Sequence, residues 1–301
     1  MATESYAQIG VVLPVCLHLD GRTFVVQVED KRVELTTHNI ASEEPTWVDT
    51  ATNMEVRSDE FSHFRFTVVT AKIPQDVDCA VKDVLKKHET IFFEALNGFV
   101  ASCRIALGRF GLRSYHDYGQ FVRPVQATIV GPANPEGEMM AAFTFGGGPL
   151  VGFRPTRSGE DHEAIQRILD TGIPIPAAFL ADAKGYLHRY DPVHSLLSAV
   201  IALDVSVSNA IRRLATTKGI PAGDISRFII DVGLSGNIKT TLRLVTEAAL
   251  PEDTVFASCK GAITTRNAVM HEGRRSVVAA QVATWLPDIE KMIAFCESLG
   301  N

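Results

Sequence analysis

Disulfide and thiolate–zinc chemistry are the first things missing from these 301 residues. The five cysteines (Cys16, Cys79, Cys103, Cys259, Cys296) are odd in number and far apart, and none forms a Cys-x-x-Cys pair. A disulfide framework and a cysteine-based zinc site are therefore not expected. His188 and His194 have no Cys or Glu nearby at metal-ligand spacing, so they read as helix-end residues and no metal site is expected. No uncharged apolar run approaches the ~20 residues that span a bilayer. The opening Met1–Gln8 lacks the basic and then apolar character of a secretory leader. These absences set the expectation of a protein of the reducing cytoplasm, without a membrane partner. A basic excess is missing too: the net charge is −6, which argues against coating nucleic acid by bulk electrostatics.

What is present allows a large core. Hydrophobic residues make up 46% and charged residues 21%, which excludes a disordered chain. Charge is unevenly placed. Residues 173–301 carry 13 Lys+Arg against 12 Asp+Glu, whereas the first 172 carry 16 against 23. The second part can hold a local basic site; the first makes a poor RNA surface.

The first 172 residues read as an α+β module. Val11–Leu19 and Arg22–Val28 flank Asp20-Gly21 as a hairpin would, and Phe61–Val69 has strand composition. Val77–Leu107 changes to apolar residues at threes and fours, the helical period. Phe121–Val130 and Met139–Phe145 bracket a Gly/Pro-rich stretch, which predicts a second hairpin. A short helix over Ser158–Leu169 ends near Gly172, and Ile173-Pro-Ile-Pro176 marks the boundary.

Residues 173–301 read as an all-α helical bundle. A helix is expected over Ala177–Tyr190. Asp191-Pro192 then supplies an N-cap and a first-turn proline for a helix reaching about Lys218. Its apolar stripe is Val193, Leu196, Leu197, Val200, Val207, Ile211 and Leu214, with Asp204 placed on it. Helices near Ile225–Val232, Asn237–Ala249, Thr254–Met270 and Ser276–Leu299 complete five or six. Gly233-x-x-Gly-x-x-Lys239 superficially suggests a phosphate loop but lacks the Gly-Lys adjacency and preceding strand that such a loop needs. Gly146–Gly148 reads as a strand end or turn.

One segment carries a chemical pattern. Asn267 and His271 are four apart and share a helix face, while Arg266 lies about 140° from His271 on an ideal helix. Arg266-Asn-Ala-Val-Met-His271, late in a helical bundle and followed by Glu272-Gly273, resembles the signature of the HEPN superfamily, an Arg usually followed by a polar residue and then a His after four to six intervening residues. The preceding helix pair, with Asp204 in the second helix where members often carry an acid, is similar as well. The resemblance covers roughly residues 175–299. It implies a homodimer whose paired domains form a cleft for metal-independent RNA cleavage, with no cofactor. His271 is then the acid/base, Arg266 the phosphate clamp, Asn267 an orienting group, and Asp204 an orienter of Arg266 or His271. Lys260, Arg274 and Arg275 would guide the RNA backbone. Bacterial toxin and antiviral-defence effectors resemble this pairing of a sensor or regulatory module, answering to a protein or ligand, with a ribonuclease domain. A second reading makes the helical domain a catalytically silent dimerisation or RNA-binding module beside a ligand-sensing N-terminal domain. A third places an enzyme in the α+β module around Gly146–Gly148.

Overall fold

The computed structural model describes residues 5–42, 64–75, 83–109, 112–121, 125–131, 134–140, 151–152, 159–246, 248–272 and 276–299. Contacts divide the chain into two units, Met1–Leu107 with Leu112–Gly172, and Ile173–Asn301 with Gly108–Gly111. The first is α+β and the second all-α.

Period-two burial builds the first unit. Ala7, Ile9, Val11 and Leu13 of strand β1 (Tyr6–Leu13), Phe24, Val26 and Val28 of β2 (Arg22–Val28), and Val33 and Leu35 of β3 (Lys31–Ser42) are buried. Val69, Ala71 and Ile73 of β4 (Phe64–Pro74) join them. With β5 (Gln126–Gly131) and β6 (Asn134–Met140) they make an antiparallel sheet of order β2-β3-β4-β1-β5-β6. The short β7 (Val151–Gly152) pairs with the end of β3. Helix α1 (Val84–Leu107) packs Phe92, Leu96, Phe99 and Cys103 into the same core. Phe99 is fully buried, its ring 4.8 Å from that of Phe24. Phe99→Ala removes a whole aromatic from a closed site and is expected to cost about 3–5 kcal/mol. A lower midpoint in urea denaturation would show it.

The expected hairpin across Asp20-Gly21 is corrected by the register. β1 pairs with β4 and β5, and β2 instead forms a hairpin with β3. The turn is at Glu29-Asp30, with Glu29 at φ 52°. Asp20-Gly21 does turn the chain, with Gly21 at φ 64° and its N–H donating to the Thr37 carbonyl. It turns it into β2 rather than between two paired strands. The second hairpin is present as β5–β6, but β6 starts at Asn134, inside the Gly/Pro-rich stretch expected as the turn, rather than at Met139.

Helix α2 (Gly159–Thr171) answers the problem of the open edge at β2. The Gln166 amide accepts from the Val25 N–H and donates to the Val25 carbonyl, each at 2.9 Å. The His162 ring stands 3.0 Å from the Thr23 carbonyl. Side chains thus occupy backbone groups that would otherwise template another strand.

The second unit is built from α3 (Ile175–His188), α4 (Pro192–Thr217), α5 (Ala222–Gly236), α6 (Leu242–Val245), α7 (Asp253–His271) and α8 (Ala279–Ser298). Asp191 caps α4 as expected, accepting from the His194 N–H at 3.1 Å ahead of Pro192. Thirteen residues of α4 are buried, which makes it the central helix of the bundle. Lys184 pairs with Glu290 at 2.7 Å between α3 and α8. Arg213 donates to the Cys296 and Leu299 carbonyls, satisfying the open end of α8. By length and composition α1 and α4 could each cross a membrane, but both place their apolar residues in their unit's core.

The segment with a superficial phosphate-loop pattern has a structural explanation. Gly233 takes φ 68° and breaks α5, a conformation that suits glycine. A β-carbon on Gly236 would lie 2.6 Å from a Val232 methyl group. Buried Asn237 donates to the Ile229 carbonyl at 3.0 Å and accepts from Thr241 at 3.1 Å. The helix expected over Asn237–Ala249 is therefore shorter: a π turn over Asn237–Thr241, then α6, ending at Val245.

Candidate functional site

Helix α7 positions most of the predicted site. Val255, Cys259, Ala262 and Ile263 face the bundle core. That leaves Ala257, Lys260, Thr264, Asn267 and His271 exposed at spacings of three and four, so they form one line along the helix. Two contacts to α8 hold this orientation. The Trp285 ring covers Gly261, where a β-carbon would meet it at 3.2 Å. The Ser258 hydroxyl donates to Asp288 at 2.7 Å, and Lys291 lies 3.2 Å from the same carboxylate. These bonds, the Ser258 one foremost, hold the Asp288 carboxyl below the usual carboxylate range.

Arg266 is half-buried at the margin of the exposed line, and its guanidinium donates to Asn267 Oδ1 at 3.1 Å. That bond draws the cation toward the face carrying His271, against the 140° separation of their Cα positions. Among the described residues Arg266 forms no ion pair. His271 is the last residue of α7 and is exposed; the turn closes behind it through the Glu272 N–H and the Ala268 carbonyl at 3.1 Å. The imidazole is held by no hydrogen bond or ion pair among the described residues.

Asp204 is placed differently from the expectation. It is exposed rather than on the buried stripe of α4, and its carboxylate accepts from Ser208 at 3.4 Å. The stripe centres on Ala199, Leu203, Val207 and Ala210; one residue beyond Leu203 is about 100° around the helix. Asp204 has no bond to Arg266, Asn267 or His271, so an orienting role through direct contact is absent within one chain. Lys260 lies on the α7 line, about 10 Å along the axis from Asn267. Arg274, Arg275 and Gly273 lie outside the described residues, as do Gly146–Gly148. Thr264 belongs to the line although the sequence reading passed over it; the three–four spacing from Lys260 to His271 was the available signal.

His194 bonds Asp191 at 2.7 Å through Nδ1 and lies against Tyr186, a helix-end role. No group of three or more His, Cys, Asp or Glu capable of holding a metal occurs among the described residues. Comparison with protein-family models, with curated proteins and with solved structures yields no match for this chain.

Proposed function

We propose that the chain is a metal-independent endoribonuclease of the HEPN type, working as a homodimer in the cytoplasm, with Arg266 and His271 at its centre. One observation carries the reading: the last two turns of one helix hold an arginine with no carboxylate partner and an exposed histidine with no hydrogen bond among the described residues. Arg213, by contrast, spends its donors within the fold on two carbonyls.

The chemistry suits these groups. RNA brings its own nucleophile, the 2′-OH beside each phosphate. His271 takes the hydroxyl proton, O2′ bonds to phosphorus, and the P–O5′ bond breaks. The departing O5′ takes a proton, leaving a 2′,3′-cyclic phosphate and a 5′-OH end. Arg266 stabilises the charge that grows on the phosphoryl oxygens, and Lys260 draws the backbone along the α7 line. A single copy offers one imidazole for two proton transfers, so a second copy supplies the other. Met270, beside His271, is 54% exposed and Val278 is 53% exposed; burying this apolar surface would favour such pairing. The α+β unit is the regulatory module of a defence or toxin effector in this reading.

The test is RNA cleavage by the purified full chain in EDTA on bulk tRNA and mRNA. Cutting that leaves 2′,3′-cyclic phosphate ends is expected. Cutting that leaves other ends, or that persists after both His271 and Arg266 are replaced, would reject the assignment. No cutting by a chain shown to bind RNA would favour the silent dimerisation or RNA-binding module.

A further inference from the structure

The α+β unit holds a second cluster of chemistry-bearing side chains, in the irregular segment 14–21 between β1 and β2. Leu17 and Leu19 are buried, which turns Cys16, His18 and Asp20 to the other side of the segment. All three are half-buried. Cys16 Sγ lies 3.7 Å from His18 Nδ1 and 3.7 Å from Asn39 Oδ1.

The segment is anchored by three hydrogen bonds to β3 and β4. The Leu17 N–H donates to the Thr67 hydroxyl at 2.8 Å, and the Asn39 N–H donates to Asp20 at 2.9 Å. The Thr37 hydroxyl donates to the Leu19 carbonyl. His18 itself takes φ 59°, a left-handed conformation that non-glycine residues adopt rarely. The other two non-glycine residues with positive φ among the described residues, Glu29 and Tyr190, sit in turns joining paired strands or helices. At His18 the surrounding bonds keep a strained backbone, a feature that recurs at functional sites, and its Nδ1 lies 3.7 Å from a thiol.

We propose that Cys16 is a nucleophilic thiol activated by His18, a site of covalent modification by small α,β-unsaturated carbonyl compounds. His18 Nδ1 takes the Sγ proton, and the thiolate electron pair forms a bond to the β-carbon. The π electrons of the C=C bond move to the α-carbon, which recovers the proton from the imidazolium. The S–H···O bond to Asn39 favours the neutral thiol, while an imidazolium N–H···S⁻ bond favours the thiolate; the charge-assisted bond is the stronger. Among the described residues the segment's other titratable group is Asp20, whose carboxylate lies 3.8 Å from the His38 ring of β3; its charge opposes a thiolate and favours an imidazolium. From β4 comes the neutral Thr67.

The experiment treats the intact chain with N-ethylmaleimide and follows each cysteine by peptide mass mapping. His18→Asn is the informative variant, because asparagine tolerates the left-handed backbone and cannot serve as a base. At pH 7 Cys16 is expected to react about fivefold or more faster in the wild type than in His18→Asn, reflecting its larger thiolate fraction. At pH 10 an ordinary thiol is already ionised, and the two rates should agree within about twofold. Cys103, Cys259 and Cys296 are buried, and burial pushes the last two thiols up to about 12, so they should lag until urea is added. Equal rates at pH 7 would overturn the proposal. So would a deficit that persists at pH 10, which marks lost access rather than lost activation. Should His18→Asn not fold, the wild-type pH profile decides: an inflection below the ordinary thiol value of about 8.5 supports the pair, and one at or above it refutes it.

Discussion

His271→Ala is expected to lower RNA cleavage by a factor of about 10²–10⁴, the range for losing a general acid or base. Because the imidazole is exposed and makes no bond among the described residues, its removal should leave the melting temperature nearly unchanged. The measurement pairs single-turnover cleavage of a short RNA with thermal denaturation. A large rate loss at constant stability identifies chemistry. A parallel loss of both would show that His271 acts as a cap on the α7 carbonyls, and the ribonuclease reading would lose its centre. RNA binding should be far less affected than the rate, since a single imidazole contributes little to a backbone grip dominated by counter-ion release.

Arg266 is expected to matter nearly as much, and in a distinguishable way. Arg266→Ala removes the group that meets developing phosphoryl charge, a change in the range of about 10²–10³ in rate. Arg266→Lys keeps the charge but loses the planar fork, so it should restore only part of that loss. Asn267→Ala deletes the acceptor that draws the guanidinium toward the His271 face at 3.1 Å. A fall of roughly tenfold, the size of one hydrogen bond to a charged group discounted for exposure, is the expected result. If Asn267→Ala cuts as fast as wild type while Arg266→Ala is inactive, the Arg266–Asn267 bond is incidental and the clamp is set by other contacts. Wild-type rates from Arg266→Ala would remove the phosphate-clamp role altogether.

Much of the helical unit was legible because helix signals are local. The Asp191 cap with Pro192 behind it, the Gly233 break and the Ile173-Pro-Ile-Pro176 division each depend on a few neighbouring residues and sterics. The line Lys260–Thr264–Asn267–His271 follows from helical period alone. The side on which Asp204 falls did not, because a residue at the margin of an apolar stripe is buried or exposed according to which helices flank it. In the α+β unit the strands were visible only in part as composition: β1 lies at Tyr6–Leu13 rather than over Val11–Leu19, β3 was not foreseen, and no strand's partner could be read. Asp20-Gly21 has the residues of a hairpin turn, yet the Glu29-Asp30 turn closes the hairpin and β1 lies three strands from β2. Pairing in a sheet joins residues tens of positions apart, and no local preference encodes it.

Some properties of this protein were determined by the sequence alone. They are a core large enough to fold, a change from α+β to all-α near residue 172, and an arginine and a histidine ending one helix. These rest on composition, period and short-range sterics. Only the tertiary structure decided three others. Gln166 closes the edge of β2, Arg266 bonds Asn267, and Cys16 meets both His18 and Asn39. Two of these three join residues distant in sequence, and the other depends on a side-chain choice among several donors and acceptors. Such contacts form only where packing has already removed the conformational freedom of both partners, so they cannot be read before the fold exists.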